Sequence, residues 1–130
     1  MIIGIDFDGT CVTHEFPLVG NDIGAVPVLK KLVEKGHELI LFTMRSHMLI
    51  DGVDYLQAAI EWFEKHDIPL YGINENPDQH IWTCSPKPYC HLYIDDTALG
   101  CPLKIDFDIS DRPFIDWEGV EALLTIQGYL

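Results

Sequence analysis

The chain has 130 residues, 48% hydrophobic and 22% charged, a balance that fits one globular domain and excludes disordered or collagen-like sequence. With 21 Asp and Glu against 8 Lys and Arg, the formal charge is −13 with His neutral, a field that repels phosphate backbones and anionic lipid. Nucleic acid and membrane are therefore disfavoured as partners, although one metal ion or one placed lysine reverses the sign locally. No apolar stretch approaches the ~20 residues of a membrane helix. Met1–Ile5 meets Asp6 with no basic segment, and Cys11, Cys84, Cys90 and Cys101 form no CxxC pair. These features predict reduced thiols and a cytoplasmic protein. Cys84, Cys90, His91 and Cys101 match no regular zinc-binding spacing.

Short apolar runs alternate with longer amphipathic ones, which predicts a doubly wound, three-layer α/β fold with a mostly parallel sheet. Ile2–Phe7 reads as the first strand. A helix follows over Ile23–Lys35, capped by Asn21 or Asp22, with Pro27 in its first turns and Gly36 ending it. His37–Thr43 is a second strand, continuous enough in Leu39–Phe42 to be buried on both faces. Leu56, Ala59, Ile60 and Phe63 recur at helical spacing within Val53–His66. Ile68–Ile73 reads as an edge strand, His91–Ile94 as a fourth strand, Ile105–Ile109 as a fifth, and Trp117–Gln127 as a helix capped by Asp116. The aperiodic stretch Asn74–Tyr89 is long for a small domain, as functional loops often are.

Asp6-Phe7-Asp8-Gly9-Thr10 places two carboxylates two residues apart at the carboxyl end of a buried strand, where unpaired charge is costly. Asp106-Phe107-Asp108 looks alike but lacks the Gly-Thr continuation, and reads as a strand end or surface turn. Thr43 and the pair Asp95-Asp96 close two further predicted strands. In an open parallel sheet these ends converge on the ligand site. Lys87, between Pro86 and Pro88, is one of few basic residues.

In this order the residues resemble the four motifs of the haloacid dehalogenase superfamily of phosphohydrolases. Asp6–Thr10 resembles its DxDGT signature, Thr43 its second motif, Lys87 its third and Asp95-Asp96 its fourth, so the resemblance spans residues 1 to about 96. Cys11 departs from the aliphatic residue common after the signature, with no chemical consequence. The resemblance implies a strand order of 3-2-1-4-5 and a Mg²⁺-dependent phosphomonoester hydrolase. It implies Asp6 as nucleophile and Asp8 as general acid and base. Asp6, the Asp8 carbonyl and Asp96 would hold Mg²⁺, with Asp95 behind them. Thr43 and Lys87 would bind the phosphoryl group, and Arg45 would touch substrate. A phosphotransferase and a non-catalytic binding or regulatory module are the alternatives.

Family members select substrates through inserted cap domains. Cys11–Asn21 and Asn74–Tyr89 are too short for one, so residues 1–130 read as a single capless domain acting on a small phosphorylated metabolite or nucleotide. Because aspartyl-phosphate chemistry gains from a dry site, a cover is expected from His14–Leu18, from the loop carrying Trp82, or from a second subunit of a homo-oligomer.

Overall fold

A computed structural model of the chain describes residues 1–130. In chain order its elements are β1 (Ile2–Ile5), α1 (Ala25–Glu34), β2 (Glu38–Leu41), β3 (Leu49–Ile50), β4 (Val53–Asp54), α2 (Tyr55–Lys65), β5 (Gly72–Ile73), a 3₁₀ turn (Gln79–Ile81), β6 (Leu92–Ile94), β7 (Leu103–Lys104), β8 (Phe114–Ile115) and α3 (Trp117–Ile126). The fold is α/β, as expected. Its sheet has four parallel strands in the order β5-β2-β1-β6, while β3–β4 and β7–β8 are antiparallel ribbons outside it. No helix is long and apolar enough to cross a membrane.

Strand register divides the sheet into two unlike faces. Ile3, Leu39 and Leu92 lie side by side, as do Ile5, Leu41 and Ile94, and alternation puts them all on one face. That face shares one core with Val28, Leu29 and Leu32 of α1, Leu56, Ala59 and Phe63 of α2, and Val120 and Leu124 of α3. Each of the Val, Leu, Ile and Phe side chains contributes about 1.5–3 kcal/mol on full burial. An ion pair between Lys31 and Glu121 joins α1 to α3 on the outside.

The opposite face presents Gly4, Ile40 and Tyr93, and it is roofed by the loop that includes Lys87 to Cys90. Tyr93 Oη donates to the Pro88 carbonyl (2.6 Å), and a Cβ on Gly4 would stand 2.8 Å from Tyr93 Cδ1 and 3.1 Å from Cys90 Sγ. Glycine here is what lets the tyrosine lie across the sheet. The expected three-layer sandwich is thus corrected: helices cover one face and a loop covers the other.

The fifth strand is also absent. Asp106 Oδ1 accepts from the Asp108 N–H, and its carbonyl accepts from Ile109 and Ser110, each at 3.0 Å, which curls Ile105–Ile109 into turns. The expected five-strand order therefore stops at four. α1 starts at Ala25 and not at Ile23, because Gly24 (φ 90°) holds the N-cap and Asp22 Oδ1 accepts from the Gly24 N–H instead of capping the helix. α2 starts after Asp54, whose Oδ1 accepts from the N–H of Gln57 (2.9 Å), a side-chain N-cap. Asp116 occupies the N-cap of α3, as expected, but makes no side-chain cap bond.

Candidate functional site

β1 and β6 are neighbours, so the residues that follow them meet. The Asp6 N–H donates to the Ile94 carbonyl (3.0 Å), aligning the two strand ends. One carboxylate oxygen from each of Asp6, Asp95 and Asp96 then lies within 4.8 Å of the others. Burial pushes the Asp6 carboxyl up to about 8; the hydrogen bond from Thr10 opposes this, and the charges of Asp95 and Asp96 add to it. One oxygen from each of these three side chains could ligate a cation, and hard oxygen donors suit Mg²⁺.

A clasp of hydrogen bonds fixes the cluster. The Thr10 hydroxyl donates to Asp6 Oδ2 (2.8 Å) and accepts from the Asp96 N–H (3.1 Å), so one side chain ties both strand ends. The Thr10 carbonyl accepts from Trp117 Nε1 (2.7 Å), which anchors this turn to the start of α3. His14 Nε2 lies 2.8 Å from Asp96 Oδ2. Gly9 has φ +82°, and a Cβ there would fall 2.0 Å from His14 Nε2 and 2.6 Å from Asp96 Oδ2. Both backbone and space therefore require glycine.

Asp8 lies apart from this cluster. Its oxygens accept from Arg45 Nε and Nη2 in a bidentate pair, both at 2.8 Å. Arg45 is only 3% exposed. Its remaining N–H groups reach the carbonyls of Leu18 (2.7 Å), Tyr55 (2.9 Å) and Pro17 (3.5 Å), and its guanidinium lies near the Phe7 and Phe16 rings, 5.0 and 5.2 Å from their centroids. Arg45 was expected to touch substrate; its side chain is instead consumed by Asp8 and by the 14–20 loop.

Thr43 follows β2. Its N–H donates to Asn74 Oδ1 (2.8 Å), its Oγ1 accepts from the Arg45 N–H (3.1 Å), and Asn74 Nδ2 reaches the Arg45 carbonyl (3.3 Å). Asn74, next after β5, thereby shapes the turn at the end of β2. Lys87, Asp6 and Asp95 line one cleft of about 220 Å³ together with Phe42 and Tyr93, and Lys87 Nζ lies 5.3 Å from the Tyr93 ring centroid. A larger groove of about 540 Å³ between α2 and β5, lined by Ile60, Phe63 and Ile73, holds none of these residues. Among the side chains expected to cover the site, Phe16 packs edge-on against Tyr55 (5.7 Å) and Trp82 against Tyr89 (5.8 Å).

Beyond the motif residues, the structure adds the Thr10 clasp, the contact of His14 with Asp96 and the hydrogen bonds of Asn74 and Trp117; from sequence His14 and Asn74 belong only to the segments expected to cover the site. Thr10 stands inside the signature and His14 just beyond it, so proximity to Asp6 was the available signal for both. For Asn74 and Trp117 there was none, since their partners are distant in sequence.

The fold and this site define an α/β protein with an acidic cluster at the carboxyl ends of two neighbouring parallel strands. No protein-family model matches the chain. A solved structure described as a conserved protein coded by a locus of Bacteroides thetaiotaomicron is similar over 98% of this chain and 91% of its own, with 32% identity and a TM-score of 0.74. The chain belongs to the same family as that protein. It is also 27% identical, over 87% of its length and 76% of the relative's, to an uncharacterized 20.8 kDa protein of the FGF-VUBI intergenic region of Autographa californica nuclear polyhedrosis virus.

Proposed function

We propose that the protein is a Mg²⁺-dependent phosphomonoester hydrolase of the haloacid dehalogenase type, acting on a small phosphorylated metabolite or nucleotide. The observation that carries this reading is the meeting of Asp6 with Asp95 and Asp96 at two adjacent strand ends, with Lys87 on the same cleft. The order β5-β2-β1-β6 puts the first strand centrally beside the strand that bears the acidic pair, which favours the same reading.

Asp6, Asp95 and Asp96 would hold Mg²⁺, which when bound neutralises the cluster and the substrate's charge. An Asp6 carboxylate oxygen attacks phosphorus in line, the ester P–O bond breaks, and the leaving oxygen takes a proton from Asp8. Water then attacks the aspartyl-phosphate, giving its proton to Asp8, and the P–O bond to Asp6 breaks to restore the carboxylate. To act first as acid, Asp8 must release part of its pairing with Arg45, whose two hydrogen bonds occupy both its oxygens, and take up a proton from solvent. The Thr43 hydroxyl proton and the Lys87 ammonium supply hydrogen bonds and positive charge to the phosphoryl oxygens.

A screen of small phosphomonoesters with and without Mg²⁺ tests the proposal. Metal-dependent release of phosphate by the native chain, absent in Asp6→Asn, is the expected result. No release from any ester would overturn it.

A further inference from the structure

The cleft beside Asp6 does not end at Lys87. A second cleft of about 360 Å³ shares Lys87 and Tyr93 with it and is lined as well by Trp82 and Tyr89. Trp82 is 64% and Tyr89 45% exposed, so two large aromatic side chains stand in solvent next to the site. They meet edge to face at 84°, and Phe42 and Tyr93 (centroids 6.0 Å apart) line the part nearer Asp6.

The Lys87–Tyr89 side of this cleft is held in place by buried amides. Gln79 Nε2 donates to the carbonyls of Ser85 (3.0 Å) and Lys87 (3.1 Å), and its Oε1 accepts from the Tyr89 N–H (2.7 Å). Asn76 Nδ2 donates to the Tyr89 carbonyl (3.0 Å). Both amides are buried, and all of these bonds go to the main chain of the loop that carries Lys87 and Tyr89. Fixing an exposed loop costs conformational entropy. Here the ordering sets a lysine and several rings along one path away from Asp6, a preorganised surface for a flat ligand.

We infer that the substrate's leaving group carries a planar aromatic ring, seated in the groove that runs from Asp6 past Lys87 and Tyr93 to Trp82 and Tyr89. This rests on the phosphohydrolase reading and names its substrate class. Lys87 marks the junction between phosphate and ring, and stacking on aromatic side chains tolerates any flat ring.

Benzyl phosphate and propyl phosphate make the test, because both release a primary alcohol and differ chiefly in the ring. The native chain should favour the benzyl ester in kcat/KM by about tenfold. In Trp82→Leu, which keeps bulk without the ring, and in Tyr89→Ala, that ratio should fall toward one. An equal ratio in the native chain, or one that both variants keep, overturns the inference while leaving the phosphohydrolase reading intact. If neither ester is hydrolysed, the phosphohydrolase reading is what fails for these esters, and benzyl phosphate titrated into Asp6→Asn tests the groove alone. Quenching of tryptophan fluorescence that disappears in Asp6→Asn/Trp82→Phe supports the groove; absence of quenching overturns it.

Discussion

The guanidinium of Arg45 and the carboxylate of Asp8 meet through two hydrogen bonds of 2.8 Å, and the same guanidinium gathers the carbonyls of Leu18 and Tyr55. One buried cation thus joins the turn after β1, the 14–20 loop and the start of α2. Removing it would leave an acid and several carbonyls without their partner in a place water reaches poorly. Arg45→Ala should therefore destabilise the fold by about 3–5 kcal/mol, as measured by urea denaturation. Arg45→Lys should recover only part of this, since an ammonium cannot reproduce the planar fork.

At Asp6 stability and activity should move in opposite directions. Asp6→Asn removes one of three crowded carboxylates, so without divalent metal its melting temperature should equal or exceed that of the native chain. Its turnover should fall by roughly 10² or more, the scale of losing a positioned reacting group. Thermal melts and phosphate release on the same preparations check both halves.

Millimolar Mg²⁺ should raise the melting temperature of the native chain, because the assembled carboxylates bind it and the unfolded chain does so poorly. A concentration a hundredfold above the dissociation constant is worth about 2.7 kcal/mol. The rise should shrink in Asp96→Asn. An unchanged melting temperature in the native chain would argue against the cation site.

Gly9→Ala should damage the site more than the fold. The added methyl meets His14 Nε2 and Asp96 Oδ2 and sits on a backbone of positive φ. Loss of the Mg²⁺-dependent thermal shift, with the far-ultraviolet circular dichroism retained, is the expected pattern.

A pH-dependent contribution comes from Asp54. The hydrogen bond from the Gln57 N–H, and then that from His47, hold its carboxyl below the usual carboxylate value of 3.8. A group with a lowered folded-state value stabilises above the unfolded value and loses that contribution as pH falls through the folded one. Asp54→Ala should therefore be less stable than the native chain at pH 7, with the gap closing as pH drops below 3.8. Paired denaturation curves at neutral and acid pH test this.

The parallel β-strands were legible because Leu39–Phe42 and Leu92–Ile94 are apolar without alternation, and the convergence of Asp6 with Asp95-Asp96 follows from where such strands end. Ile105–Ile109 misled for a physical reason. Its apolar and acidic residues alternate with the period of a strand, but the Asp106 side chain offers the backbone a turn, and the local hydrogen bonds win. The partner of Arg45 lies 37 residues away, a contact no local pattern encodes. The β3 and β7 ribbons are two residues per strand, too short to show any period.

Roofing one face of the sheet with a loop has a consequence for how such a chain can change. A helix in that place would share side chains with the core, and altering it would mean repacking. The loop over Tyr93 is tied down chiefly through main-chain atoms, by Gln79 and Asn76, which are indifferent to the identity of the residues between them. Positions such as Trp82 and Cys84 are therefore open to substitution at little cost to folding, while Ile3, Ile5 and Leu41 on the helical side are not. In that loop the chain can exchange its exposed side chains without renegotiating how it folds.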